Sequence, residues 1–99
     1  MINYRFPEEK EIVLHYARLL KDSTTENIIN KGEVSNSSEA THLAKFFWLM
    51  VDQSVKDIKQ GKDAAGHLDL KAWNEYTLQT ISSYLINNGY ESEWEAANG

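Results

Sequence analysis

Apolar residues recur at intervals of three and four along most of the chain, which is the spacing of one face of an α-helix. The pattern predicts four helices, at about residues 7–21, 24–31, 37–60 and 70–88. Polar, turn-rich segments with glycines at positions 32, 61 and 66 separate the helices. The sequence therefore predicts an all-α fold, a small bundle of three long helices plus one short helix.

Signals for helix ends support these four segments. Each predicted helix starts beside a residue that favours a helix N-terminus: Pro7, Ser23, Asn36 or Asp69. Ser23 and Asn36 are each followed three residues later by a glutamate, as in a capping box. Gly32 and Gly89 fit the left-handed position that commonly ends helices. Acidic residues after Pro7, among them Glu9, suit the positive end of the first helix dipole.

The two ends of the chain depart from the helical pattern. Ile2, Tyr4 and Phe6 alternate with polar residues, which predicts an extended N-terminal arm lying on the core. The last ten residues carry three of the five net negative charges of the chain, so residues 1–90 are nearly balanced in charge. We therefore expect a single helical domain over residues 1–90 and an acidic C-terminal tail over residues 91–99.

Composition narrows the classes of function. A nearly balanced body with one short lysine cluster argues against nucleic-acid binding, which needs clustered cations to neutralise phosphates. The chain has no cysteine, which excludes disulfides and thiol nucleophiles and suits the reducing cytoplasm. No stretch approaches the roughly 18 apolar residues of a membrane span. We expect a cytoplasmic protein that binds neither nucleic acid nor membrane.

Motifs for catalysis or cofactor binding do not emerge from the sequence. The histidines, His15, His42 and His67, lie too far apart in sequence to form a helical metal-binding pair. Gly61 and Gly66 lack the Lys-Ser/Thr of a phosphate-binding loop and follow a helix rather than a strand. We therefore predict no catalytic residue, no cofactor, no metal site and no enzymatic activity.

Apolar residues outside the main stripe of the third helix are the strongest functional signal. That stripe is predicted to contain seven residues: Ala40, Leu43, Ala44, Phe47, Val51, Val55 and Ile58. Phe46 and Leu49 lie about 120° and 180° away from it, on the side shared with Gln53. Either the third helix is central and covered on two sides, or these residues form a contact surface for another chain. Met50, at the edge of the stripe, would widen either contact.

Trp94 stands among glutamates in the predicted tail, where a large aromatic side chain must dock somewhere. It packs on its own domain or anchors a partner. If the contact-surface interpretation holds, the partner-binding residues are Phe46, Leu49, Met50, Gln53 and Trp94, and Phe46 and Leu49 are partly exposed in the isolated chain.

The leading functional hypothesis is a non-enzymatic protein-interaction module: a stoichiometric inhibitor, adaptor or regulatory subunit that binds another protein or a second copy of itself. The competing class is a small-ligand-binding helical domain or an enzyme with a dispersed site. Such a pocket would be built from residues far apart in sequence, for example Tyr16, His42, Trp73 and Tyr84.

A third alternative comes from the end of the chain. Residues 94–99, Trp-Glu-Ala-Ala-Asn-Gly, resemble the Trp-Arg-Ala-Ala-Asn-Gly near the end of colicin DNase immunity proteins. Those proteins are also small, acidic and helical, and the resemblance implies a toxin-neutralising immunity protein. The acidic Tyr-Tyr segment with which they bind their toxin has no match in this sequence.

Trp73 tests the predicted stripe of the fourth helix. If its ring is part of the core, Trp73→Ala should lower the free energy of unfolding by roughly 3–5 kcal/mol, as the loss of large buried aromatics does. Chemical denaturation followed by circular dichroism measures the change. A loss below about 1 kcal/mol would place the ring at the surface.

Overall fold

Five helices make up the part of the chain that the structure describes. The computed structural model describes the backbone of residues 1–60 and 70–98 and the side chains of residues 1–60 and 74–97. The helices are α1 (Pro7–Leu19), α2 (Ser23–Lys31), α3 (Ser37–Lys59), α4 (Leu70–Asn87) and α5 (Glu91–Asn98). No strand is found over these ranges, so the all-α prediction is confirmed. None of the described helices has the length and apolar character needed to cross a membrane.

The longest helix, α3, is at the centre of the packing. It contacts α2, α4 and α5, while α1 packs against α2 and α4. Side chains from every described helix and from the N-terminal segment enter one buried cluster, whose largest fully buried members are Tyr16, Phe46, Phe47, Ile28, Ile29 and Leu43. Contacts on several sides of α3 are what the first interpretation of its extra apolar residues predicts.

Local end signals account for most helix boundaries. Asn36 caps α3 as predicted, because its Oδ1 accepts the Glu39 amide at 2.9 Å. Gly32 and Gly89 both adopt the predicted left-handed conformation, each with φ of 85°. The prediction of Ser23 as the cap of α2 is wrong. Asp22 is the capping residue, and its carboxylate accepts the Thr25 amide at 3.0 Å.

Three sequence predictions fall outside the described residues. The predicted cap Asp69 and the loop over residues 61–66 lie in the undescribed segment, and the side chain of Trp73 is not described. These three therefore remain predictions.

The N-terminal segment, residues 1–6, lies against the helices without regular secondary structure. The Ile2 amide donates a hydrogen bond to the Gly32 carbonyl oxygen at 2.8 Å, and the Ile2 side chain is buried in the core. Tyr4 is half-buried and packs against the same cluster. The segment is therefore held by both a backbone bond and apolar burial.

The acidic C-terminal segment is a helix that packs on α3. Trp94 in α5 is 9% exposed, and its ring lies 5.6 Å from that of Trp48, centroid to centroid. α5 also contacts α4. Of the two interpretations of Trp94, packing on its own chain is the one that the structure shows.

The rotation of α3 about its axis agrees with the prediction in the first half of the helix, where Ala40, Leu43, Ala44 and Phe47 are fully buried, and differs from it in the second half. Phe46 is 2% exposed and Met50 is fully buried, whereas Val55 and Ile58, predicted as core, are 42% and 43% exposed. The cause is a buried carboxylate near the helix C-terminus. Asp57 accepts hydrogen bonds from the Tyr16 hydroxyl at 2.9 Å and from Gln53 Nε2 at 3.0 Å, which turns that side of α3 inward.

Phe46 and Leu49 test this rotation directly, because they lie three residues apart on one helix with opposite exposure. Phe46→Ala should lower the free energy of unfolding by roughly 3–5 kcal/mol through loss of buried contacts. Leu49→Ala, at a side chain that is 59% exposed, should change it by no more than about 0.5 kcal/mol. Urea denaturation of both variants measures the difference, and equal losses would contradict the observed rotation.

Candidate functional site

The five residues predicted to bind a partner do not form one surface. Phe46, Met50 and Trp94 are buried, so in this structure they offer almost no area to another chain. Leu49 is exposed as predicted. Gln53 is half-buried, and its amide is engaged with Asp57. The prediction that Phe46 is exposed is wrong, because its side of α3 faces the interior.

The apolar residues that α3 turns outward instead line a groove against α4. Its α3 wall consists of Val51, Val55 and Ile58, spaced four and three residues apart so that they follow one side of the helix. Leu78 forms the apolar part of the α4 wall. The groove has a volume of about 210 Å³. The sequence predicts Val51, Val55 and Ile58 as core, so the sequence analysis missed the groove as a surface.

One polar group in the groove has an unfilled hydrogen-bonding capacity. Asn74 lines the groove beside Glu75, and Asn74 Nδ2 donates a hydrogen bond to Ser54 Oγ. Ser54 Oγ in turn donates to the Val51 carbonyl oxygen at 2.9 Å. Asn74 Oδ1 is buried and has no hydrogen-bond partner. An unpaired buried carbonyl costs free energy, but this oxygen is buried rather than exposed to the groove.

The pair formed by His42 and Asp22 is the arrangement that most resembles a catalytic dyad. His42 Nε2 lies 2.8 Å and 2.9 Å from the two carboxylate oxygens of Asp22. Those oxygens also accept the Thr25 amide and the Thr25 hydroxyl, so the same carboxylate caps α2. Burial alone would raise the pKa of Asp22, but the hydrogen bonds from Thr25 and His42 outweigh burial and lower it. The pair ties α3 to the start of α2.

The other residues named for a dispersed pocket have separate partners. The Tyr16 hydroxyl donates to Asp57, and Tyr84 Oη accepts the Val34 amide at 2.9 Å. Among the described side chains, no group of three metal-ligating residues comes together. Tyr16, His42 and Tyr84 therefore each join elements of the fold, at three different places.

A buried polar cluster lies between α1 and the first residues of the chain. Glu9 is fully buried, and its Oε2 accepts the Thr80 hydroxyl at 2.8 Å. Glu9 Oε1 and the Tyr4 hydroxyl are both buried without a hydrogen-bond partner. Burial and, to a lesser degree, the nearby Glu9 carboxyl raise the pKa of Tyr4 to about 12. Sequence analysis placed Glu9 at the helix dipole and did not foresee its burial.

Comparisons with protein-family models, with curated proteins and with solved structures found no match for this chain.

Tyr4 makes the stability of the fold sensitive to alkaline pH. Its pKa is raised from 10.0 in the unfolded chain to about 12 in the fold, so the folded state holds the proton more tightly. The resulting stabilisation is complete below about pH 10 and is lost as the pH rises through about 12. Urea midpoints measured at pH 9 and pH 11 should fall more for the unmodified chain than for Tyr4→Phe. Equal falls would show that Tyr4 ionises as freely in the fold as in the unfolded chain.

Proposed function

We propose that this protein is a non-enzymatic protein-interaction module that binds a short apolar segment of another protein in the groove between α3 and α4. As an inhibitor, adaptor or regulatory subunit it would act by occupancy rather than by chemistry. The observation that carries the proposal is the outward position of Val55 and Ile58 in a concave surface. The lack of cysteine supports a cytoplasmic setting.

The groove differs from the ordinary apolar residues of a protein surface. Single exposed apolar side chains are common and need no explanation, but neighbouring ones that line a concave surface mark binding sites. Val55 and Ile58 are neighbours on α3, and Leu78 faces them from α4. By contrast Leu49 and Leu19, also exposed, lie on different helices, and neither lines the groove.

The size and polarity of the groove favour a short segment over a broad surface. A volume of about 210 Å³ accommodates one or two apolar side chains. The groove lining is almost wholly apolar, which suits the side chains of an apolar segment. A stable interface between two copies would need about 800 Å² on each protomer, far more than these side chains present. We therefore assign the groove to a different protein.

The proposal includes no enzymatic activity. The structural role of His42 and Asp22, the pair that most resembles a catalytic dyad, supports this part of it. His42 and Asp22 bond to each other where α2 and α3 meet, and the Asp22 carboxylate also caps α2 by accepting the Thr25 amide. The residues that resemble the end of colicin immunity proteins also serve the interior, since Trp94 packs on Trp48. Toxin neutralisation therefore receives no specific support from the position of Trp94.

The groove is tested with a pair of double variants matched in chemistry. Val55→Lys with Ile58→Lys should abolish capture of the partner or weaken it at least about tenfold, because two apolar contacts are replaced by charges. Leu19→Lys with Leu49→Lys adds the same charge at exposed positions outside the groove and should leave capture within about twofold. Quantitative affinity purification from the native cells, followed by calorimetry with the purified partner, measures both effects.

Circular dichroism and urea denaturation of both double variants check that they fold. Capture that falls equally in both variants, or in neither, would refute the groove as the binding site. Sedimentation analysis tests the remaining candidate for the groove, a second copy of this chain. Concentration-dependent dimerisation that only the groove variant abolishes would show that a second copy, rather than another protein, fills the groove.

A further inference from the structure

A second cavity, polar where the groove is apolar, lies between the N-terminal segment and the C-terminal half of α4. Its volume is about 320 Å³, which is within the range of small-molecule sites. Asn3 and Arg5 line it from the N-terminal segment, and Thr80, Ser83 and Asn87 are among the residues that line it from α4. The geometry points to a binding site for a small neutral polyhydroxylated ligand of the sugar class, which is independent of the proposed groove.

The wall made by the N-terminal segment is held in place. Ile2 is buried and its amide is bonded to the Gly32 carbonyl, while Asn3 and Arg5, the odd-numbered neighbours, line the cavity. The Arg5 guanidinium lies 5.8 Å from the centroid of the Tyr76 ring, a cation–π contact between the segment and α4. The segment thus has one side in the core and the other on the cavity.

The α4 wall is fixed from behind by hydrogen bonds. Thr80 donates its hydroxyl proton to the fully buried Glu9. Tyr84 accepts the Val34 amide through its hydroxyl oxygen. Asn88 Nδ2 donates to the Tyr84 carbonyl oxygen at 2.7 Å. These bonds orient three lining groups before any ligand arrives, which reduces the entropy lost on binding.

The remaining hydrogen-bonding capacity of the lining decides the class of ligand. Four carboxamides line the cavity: Asn3, Gln79, Asn87 and Asn88. Carboxamides both donate and accept, as sugar hydroxyls do. Thr80 has given its only proton to Glu9, so it offers the cavity an acceptor and needs a donor from the ligand. An ionised carboxylate has acceptors alone and cannot satisfy Thr80, whereas a sugar hydroxyl can.

Adjacent serines on α4 provide the test. Ser83 lines the cavity, and Ser82 next to it does not; Ser82 Oγ instead bonds to the Gln79 carbonyl oxygen at 3.2 Å. We would titrate ¹⁵N-labelled protein with glucose, galactose, N-acetylglucosamine and inorganic phosphate, following amide chemical shifts. At least one of the neutral sugars should give saturable shifts at residues 1–5 and 76–88. Ser83→Ala should weaken that binding about three- to tenfold, the worth of one hydrogen bond, and Ser82→Ala should not.

Asn3→Ala supplies a second variant, on the opposite wall and outside any helix, should Ser83→Ala unfold. It should weaken the same binding by a similar factor. Localised shifts with phosphate but with none of the sugars would overturn the class of ligand. Shifts elsewhere on the protein, or none with any of the four probes, would overturn the site. Neither result would bear on partner capture by the groove between α3 and α4.

Discussion

The hydrogen bond from Tyr16 to Asp57 sets the face that α3 turns to the interior, and both the core and the proposed groove depend on that choice. The two residues are 41 positions apart, and their side chains meet at 2.9 Å in a buried setting. A buried carboxylate is tolerated only where donors satisfy it, so Asp57 must face Tyr16. Phe46 and Met50 lie on the same side of α3 as Asp57 and turn inward with it. Val55 and Ile58 are thereby turned outward, where they line the groove.

Buried polar groups also fix the position of α4, because each must face its hydrogen-bond partner. Asn74, Thr77 and Thr80 are buried on the side of α4 where a simple bundle would place aliphatic residues. Asn74 bonds to α3 through Ser54, and Thr80 bonds to α1 through Glu9. Such pairs add little net stability over apolar packing, but they penalise any other alignment of the helices. The two surfaces proposed for binding adjoin these polar contacts.

The parts of the fold that sequence predicts well are those with local causes. The start of α3 follows from Asn36 and the ends of α2 and α4 from Gly32 and Gly89, because a cap depends on a few adjacent residues. The error at Ser23 is one residue in size, since Asp22 caps equally well by chemistry. Residues 91–98 carried no comparable start signal, and their helix is stabilised by Trp94 packing on α3.

The parts that sequence predicts poorly depend on contacts between distant residues. α3 has apolar residues on more than one side, and periodicity alone does not say which sides α2, α4 and α5 will cover. For that reason the sequence analysis places Val55 in the core and Phe46 at the surface, whereas the structure shows the reverse. A signal was present at Glu9, which precedes Val13 by four residues and Tyr16 by seven, on the side that α1 buries. A glutamate there contradicts the apolar pattern, and its donor, Thr80, lies 71 residues away.

The two proposed sites share α4 but lie on roughly opposite sides of it. Leu78 and Asn74 belong to the groove, and Ser83 and Asn87 belong to the polar cavity, well over 90° away at 100° per residue. Ile81 and Leu85 are fully buried on the same side of α4 as the groove residues, nearer the C-terminus of the helix. The side of α4 between the two sites carries the buried Thr77, Thr80 and Tyr84. Polar pairs rather than a wide apolar stripe therefore help to fix the position of the helix. Changes confined to one side of α4 should therefore leave the other site intact, because the two sites lie on roughly opposite sides of the helix and share no lining residue.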